Sequence, residues 1–297
     1  MGPAPATRPL AIQGVLAGWF ARTARDLPWR APDRTPWGVL VSEVMAQQTP
    51  VARVAPVWTA WMERWPTPAD FAGAPTADVL RAWGTLGYPR RALRLQDCAR
   101  AIVERHGGVV PQDEPSLLAL PGIGTYTAAA VVAFAFGGRS VVVDTNVRRV
   151  LARALGGDAL PAPSLTAAET ARAAAIVPPD ATDAATWAAS SMELGAVVCT
   201  ARAPRCDACP VAGLCAWRAA GYPPDAHAAR RRTQAWTGTD RQVRGKVMAV
   251  LRDAHGHVAR ERMALVWPDA VQLARCIAGL VEDGLVEQTD DALHLPA

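Results

Sequence analysis

A chain of 297 residues, 51% hydrophobic and 20% charged, has the composition of a globular protein and is long enough for one large or two moderate domains with a real core. No apolar run reaches membrane-spanning length, and the short stretch LAIQGVLAGWF is soon broken by Arg22, Arg25 and Asp26 without a small-residue cleavage site, so a cytoplasmic protein is expected. The net charge of +4 permits a polyanionic partner without demanding one; arginine is abundant, whereas Lys246 is the single lysine.

In chain order, residues 1–9 are rich in Pro and Ala and are expected to be a flexible N-terminus. From Leu10 to about Gly221 apolar residues recur at helical spacing in PVARVAPVWTAWMERW, ADVLRAWGTL, RRALRLQDCARAIVERHGG and TAAETARAAAIV, with Gly and Pro between them. Only SVVVD (140–144) has the pattern of a strand. Residues 218–240 have linker composition, and 241–297 present three helical segments followed by a two-stranded wing, an order that resembles a winged helix. The expected fold class is therefore all-α with a small C-terminal winged-helix-like domain.

Three features carry chemistry. Glu43 lies among Val39, Leu40, Val44 and Met45 on a helical segment; it is either on a solvated face or in a dry pocket where a carboxyl becomes a general acid. Gly122 and Gly124 form a tight turn before an apolar helix beginning at Thr125, either a plain turn or a cradle whose free amides hold a phosphate. Asp144 follows SVVV and precedes a helix, the position of an N-cap. An acid and a carboxylate flanking a sugar are also what glycosidic bond cleavage requires.

The cysteines of CTARAPRCDACPVAGLC, Cys199, Cys206, Cys209 and Cys215, are spaced C-x6-C-x2-C-x5-C. A reducing compartment favours metal ligation over disulfides. One close pair flanked by longer spacers favours a cubane iron-sulfur cluster over a zinc site, which usually pairs two short knuckles. Cys98 and Cys276 stand alone in helical patterns and are expected to be buried, inert thiols.

Taken together, LPWR (27–30), SEVMAQQT (42–49), LGYPRRALRL (86–95), LPGIGTYTAAAV (120–131), VDTNVRRV (143–150) and ELGAVVCTARAPRCDACPVAGLC (193–215) resemble the MutY-type adenine DNA glycosylases of the helix-hairpin-helix, endonuclease III superfamily. The resemblance implies a two-lobed fold. An iron-sulfur cluster lobe would be formed by residues 10–30 and 138–217, and a six-helix barrel lobe carrying the hairpin by 31–137. Residues 218–240 would link these to the domain at 241–297. One 4Fe-4S cluster would be held by the four cysteines. The substrate would be double-stranded DNA containing adenine opposite 8-oxoguanine or guanine, bound by a monomer, with the target nucleotide flipped out of the stack.

Carried over by motif, Glu43 would protonate adenine at N7 and Asp144 would stabilise the cationic sugar, with Tyr126 and Asn146 orienting them. Arg25 and Trp29 would line the base pocket. Gln48, Thr49, Leu86 and Tyr88 would probe the opposite base and fill the gap in the stack; Gly122, Gly124 and Thr125 would grip a phosphate. The sulfur loop would position Arg202 and Arg205 near the DNA backbone. Relatives that also cut the strand use a lysine where this sequence has Tyr126, so base removal without strand cleavage is expected. Mismatch thymine glycosylases, and a non-catalytic iron-sulfur DNA-binding protein, are the alternatives; Glu43 favours adenine. The sequence departs from the family in lacking the length for a Nudix-like C-terminal domain, in Thr145 where Gly is common, and in Ala189 where a Glu or Gln contacts adenine.

Overall fold

The computed structural model describes residues 8–231, 236–254 and 256–297. Residues 1–7 of the expected flexible N-terminus and 232–235 of the expected linker lie outside the described residues. In chain order the helices are α1 (Arg8–Thr23), α2 (Pro36–Ala46), α3 (Val51–Arg64), α4 (Pro68–Ala72), α5 (Thr76–Trp83), α6 (Arg90–His106), α7 (Glu114–Leu118) and α8 (Thr125–Phe136). There follow α9 (Thr145–Leu151), α10 (Ala167–Ala175), α11 (Ala181–Val197), α12 (Ala216–Ala219), α13 (Asp240–Asp253), α14 (Arg260–Ala264) and α15 (Ala270–Glu282). Short strands β1 (Val258–Ala259), β2 (Glu287–Gln288) and β3 (Ala292–His294) complete the order.

The described residues form two compact units, one of 8–36, 112–114 and 124–231, the other of 37–111, 115–123 and 236–297. In the first unit, α1, α9, α10 and α11 close over Ile12, Leu16, Val147, Val150, Trp187 and Leu194. Helix α11 is set by Asp180, whose side chain accepts from the Asp183 amide, and α10 by a reciprocal Thr166–Glu169 capping box. The stretch 218–231 expected to be linker folds back here: Arg231 pairs with Asp225 at 2.5 Å and donates to the Pro161 carbonyl at 2.7 Å. Helix α8, expected in the barrel lobe, clusters with this unit.

The second unit is built on aromatic packing. Trp61 meets Trp65, Phe71 and Trp83 at ring-centroid distances of 5.1, 4.9 and 5.6 Å. The indole N–H groups of Trp37 and Trp58 donate to the carbonyls of Trp65 and Gly38, so these polar handles are satisfied inside the core. The C-terminal residues belong to this unit as well. Helices α13 and α15 pack through Val247, Leu251, Leu273 and Leu280, and the sheet runs in the order β1-β3-β2, antiparallel throughout.

Two sequence expectations change. SVVVD forms no strand, because a single β-prone segment in a helical unit has no neighbour to bond; Val142 is buried and the segment delivers Asp144 to the start of α9. Conversely, VARERMALVW begins as β1 before turning helical, because Val258 and Ala259 pair with Leu293 and Ala292. The wing therefore has a third strand.

Candidate active site and cluster loop

Asp144 is the N-cap of α9. Its Oδ1 accepts from the Val147 amide at 2.6 Å, and its Oδ2 accepts from the Asn146 side-chain amide at 2.7 Å. The cap and the Asn146 bond thus use different oxygens of one carboxylate. Burial raises the Asp144 pKa above the usual aspartate range, while the two hydrogen bonds and the charge of Arg149 pull it back. Arg149 extends the network: its Nη2 donates to Asn146 Oδ1 at 2.7 Å and to the Gly195 carbonyl at 2.7 Å, and its Nε to the Cys199 carbonyl at 2.6 Å. One guanidinium therefore ties the residue that holds Asp144 to the first residue of the cysteine loop. Gly195 makes this approach possible, since a Cβ there would lie 2.6 Å from Asn146 Cβ and 2.8 Å from its carbonyl oxygen. Tyr126, on α8 of the same unit, packs against the alanine-rich cluster around Ala129, Ala133 and Ala188.

Glu43 lies on α2, where every residue from Trp37 to Met45 is buried, Glu43 itself at 8% exposure. The helix is apolar all round, which removes the solvated-face alternative and leaves a carboxyl in a dry setting.

Arg25 and Arg30 hold a residue that the motifs do not single out. Glu193 of α11 is fully buried and accepts from the Arg25 backbone amide at 3.2 Å, from Arg25 Nε and Nη2 at 2.6 and 2.9 Å, and from Arg30 Nη2 at 3.0 Å. These bonds and charges outweigh burial and hold its carboxyl below the usual glutamate range. Trp29 is buried, at 9% exposure. A lone Glu inside SSMELGAVV is the same signal that singles out Glu43. Ala189 stands one helical turn before Glu193 and offers no polar group.

The residues expected to probe the opposite base separate into two kinds. Gln48 and Tyr88 are exposed, and both adopt positive φ, 56° and 48°, a region uncommon for residues with a Cβ. Thr49 and Leu86 are buried at 6% and 4%, so Leu86 is a core residue rather than a protruding wedge: the loop turns its side chain inward, and its carbonyl accepts from Thr49 Oγ1 at 3.1 Å. Both loops hang on Arg91, a second residue that sequence reasoning misses. Its Nη1 donates to the carbonyls of Val44, Met45 and Gln47 at 2.8, 2.9 and 2.6 Å, and its Nη2 to Thr49 Oγ1 and the Gly87 carbonyl at 2.9 and 3.0 Å. Burial lowers its pKa to about 10, still high enough to keep the charge at neutral pH.

At the hairpin, Gly122 has φ of +76°, and a Cβ would press on Arg94 Cβ at 3.0 Å, so glycine is required there. Gly124 is the N-cap of α8 with open space where a side chain would be, and Thr125 beyond it is exposed. The first amides of α8 thus have no side-chain cap in their way.

The four cysteines line one cavity together with Arg153, Trp217 and Arg218. Four thiols turned into one cavity from a single loop are the donor set that a cubane iron-sulfur cluster takes. Burial raises the pKa of Cys209 to about 11, and that of Cys215 also, with the neighbouring cysteines adding to both; thiols so placed give up their protons to a bound cation. Arg153 braces the loop by donating to the carbonyls of Thr200 and Ala201 at 2.7 and 3.1 Å and to Cys199 Sγ at 3.4 Å, with Trp217 stacked 4.6 Å from its guanidinium carbon. Arg202 and Arg205 are exposed on the same loop. Cys98 and Cys276 are buried as expected, the Cys98 thiol pushed up to about 12.

A cavity of about 330 Å³ in the first unit lies elsewhere, lined by Arg148, Glu169, Arg172 and His227 but by none of the residues expected to act on a base. Its principal charges are already paired, Arg148 with Glu169 at 2.9 Å.

Residues 41–175 match the HhH-GPD superfamily base excision DNA repair protein family, and residues 199–215 match the iron-sulfur binding domain of endonuclease III. The adenine DNA glycosylase of Mycolicibacterium smegmatis is 54% identical over 277 residues, covering 93% of this chain and 92% of the relative. That of Mycobacterium tuberculosis is 52% identical, covering 93% and 90%. The human adenine DNA glycosylase is 44% identical over 216 residues, 69% of this chain and 39% of its own length. Among solved structures, a thermostable thymine-DNA glycosylase aligns with a TM-score of 0.66 at 26% identity, covering 73% of this chain and all (100%) of its own. A non-covalent endonuclease III–DNA complex aligns at 0.62 and shares the fold.

Proposed function

We propose, from the premise that this chain belongs to the adenine DNA glycosylases of the HhH-GPD base excision repair superfamily, that it excises adenine opposite 8-oxoguanine or guanine without cutting the strand. In this reading Glu43 and Asp144 both act on one extruded nucleotide. Glu43 gives a proton to adenine N7 and makes the base a neutral leaving group. Asp144 remains ionised and stabilises the cationic sugar until water adds at C1′, the water's proton passing to the Glu43 carboxylate. Asn146 holds Asp144 through the 2.7 Å bond, and Tyr126 borders the same site. Arg25 and Trp29 shape the base pocket, with Glu193 fixing the direction of Arg25. Gln48 and Tyr88 enter the stack, while Thr49 and Leu86 support their loops. Gly122, Gly124 and Thr125 hold a phosphate at the start of α8.

The observation that carries this reading is a pair of carboxyl groups in the matched motifs, Glu43 buried on α2 and Asp144 at the start of α9 with Asn146 and Val147 donating to its two oxygens. When bound, the 4Fe-4S cluster stabilises the loop that offers Arg202 and Arg205 to the DNA backbone; Cys199, Cys206, Cys209 and Cys215 would hold it. The protein is proposed to act as a monomer on duplex DNA, in the cytoplasm. Among the described residues no helix is long and apolar enough to cross a membrane.

An oligonucleotide assay tests the proposal. Duplexes with A:8-oxoguanine, A:G and T:G pairs are incubated with the protein and then treated with alkali or left untreated. Strand breaks only after alkali, in the adenine duplexes, are expected. Efficient borohydride trapping of a protein–DNA adduct would overturn the monofunctional assignment, and preferential T:G cleavage would overturn the choice of adenine.

A further inference from the structure

The exposed ring of Tyr88 is flanked by two cations. The Arg91 guanidinium carbon lies 5.7 Å from its centroid and that of Arg241 lies 4.9 Å from it. Arg241 comes from the first turn of α13, in the winged-helix-like part, and is also 5.2 Å from the ring of Trp236. It therefore lies within cation–π range of both rings. Tyr88 and Trp236 are 40% and 51% exposed, and only Tyr222 adds another exposed aromatic among the described residues. The arrangement is riveted by Asp283 at the end of α15, which accepts from Arg90 at 3.0 Å and also pairs with Arg244. Arg90 is two residues beyond Tyr88, and Arg244 three beyond Arg241, so one carboxylate ties the two segments together just behind the stack. Arg81 adds a bond to the Ala254 carbonyl at 3.3 Å.

From this geometry we infer that the C-terminal winged-helix-like part is a device for setting the wedge: Arg241, backed by Trp236, is a positioning residue that holds Tyr88 ready to enter the DNA stack beside the base opposite adenine. A side chain at positive φ on an exposed loop needs outside support to keep one orientation, and a cation over each ring supplies it. Desolvation on DNA binding strengthens such contacts. The inference rests on the assignment of Tyr88 to the stack made above.

The test uses the full chain with a duplex carrying 2-aminopurine beside the base opposite adenine, whose fluorescence rises when its neighbour is unstacked, together with single-turnover excision. Arg241 is exposed, so Arg241→Ala is compatible with the fold. It is expected to lower both the fluorescence rise and the excision rate by about two- to fivefold. Arg241→Lys, which keeps a cation, should restore most of the loss. In the Tyr88→Ala background, Arg241→Ala should add nothing. If Tyr88→Ala lowers the signal but Arg241→Ala does not, the positioning role is wrong while the wedge stands. If Arg241→Ala lowers binding equally in both backgrounds and reduces the salt slope by about 1, Arg241 is a plain phosphate contact and the inference falls. If Tyr88→Ala itself changes nothing, the wedge assignment fails and takes the inference with it.

Discussion

The Asn146 amide donates to Oδ2 of Asp144 at 2.7 Å, and its carbonyl oxygen accepts from Arg149, so the residue that holds the carboxylate is itself held. The bond favours the ionised form of a group that burial pushes the other way. Because the folded pKa of Asp144 lies above its unfolded value of about 3.9, its titration favours the fold most below that value, and this contribution is lost as pH rises through the folded pKa. The proposed mechanism uses the ionised form, so the single-turnover rate should climb with pH along an acid limb above about 3.9. Asn146→Ala should move that limb to higher pH and slow excision at neutral pH by about tenfold or more, the worth of a hydrogen bond to a charged group. An unmoved limb would remove Asn146 from this role.

Gly195 has a purely steric part in the same arrangement. With a Cβ placed 2.6 Å from Asn146 Cβ, Gly195→Ala must push α11 and α9 apart. Loss of about 2 kcal/mol in stability is expected from overpacking, accompanied by slower excision, as measured by denaturant unfolding and single-turnover assays. Wild-type values for both would show that the contact relaxes freely.

Glu193 makes a prediction of the opposite sign in pH. Its folded pKa is depressed, so it stabilises the first unit above its unfolded value of about 4.3, and that stabilisation disappears as pH falls through the folded pKa. Glu193→Gln should therefore destabilise the protein at pH 7 by about 2 kcal/mol, less than a fully orphaned buried pair because Arg25 and Arg30 reach solvent, and the difference from wild type should vanish in acid. Denaturant midpoints across pH report it. A difference independent of pH would mean that Glu193 acts by packing alone.

Arg91 pins two loops from one guanidinium, and lysine lacks the planar fork that does so. Arg91→Lys should leave adenine excision opposite 8-oxoguanine reduced and the distinction between paired bases blunted, with the unfolding midpoint lowered. Unchanged discrimination among A:8-oxoguanine, A:G and A:C duplexes would detach the loop geometry from base reading.

Much of the fold and of the site is legible in the amino-acid sequence. The helical punctuation, the cysteine loop and the three-helix C-terminal order all follow from local patterns, and the motif set singles out Glu43 and Asp144 among the carboxyl groups. What local pattern does not supply is long-range pairing. Val258 is a strand residue because Leu293 meets it, and Ser140–Asp144 is not a strand because nothing pairs with it. Arg91 looks like one arginine among many until backbone carbonyls and a hydroxyl from two loops converge on it, and Leu86 looks exposed in a glycine-rich turn until the core claims it. The linker composition of 218–231 likewise gives no sign that Arg231 reaches Pro161.

The central claim is that two carboxyl groups divide the chemistry, and parallel single-turnover assays of Glu43→Gln and Asp144→Asn on an A:8-oxoguanine duplex, with binding measured alongside, test it most directly. Asparagine is as good an N-cap as aspartate, so Asp144→Asn should fold with little loss. Both variants should bind the duplex about as tightly as wild type and release no adenine over many wild-type half-lives. Near-normal excision by either variant, with binding intact, would contradict the account.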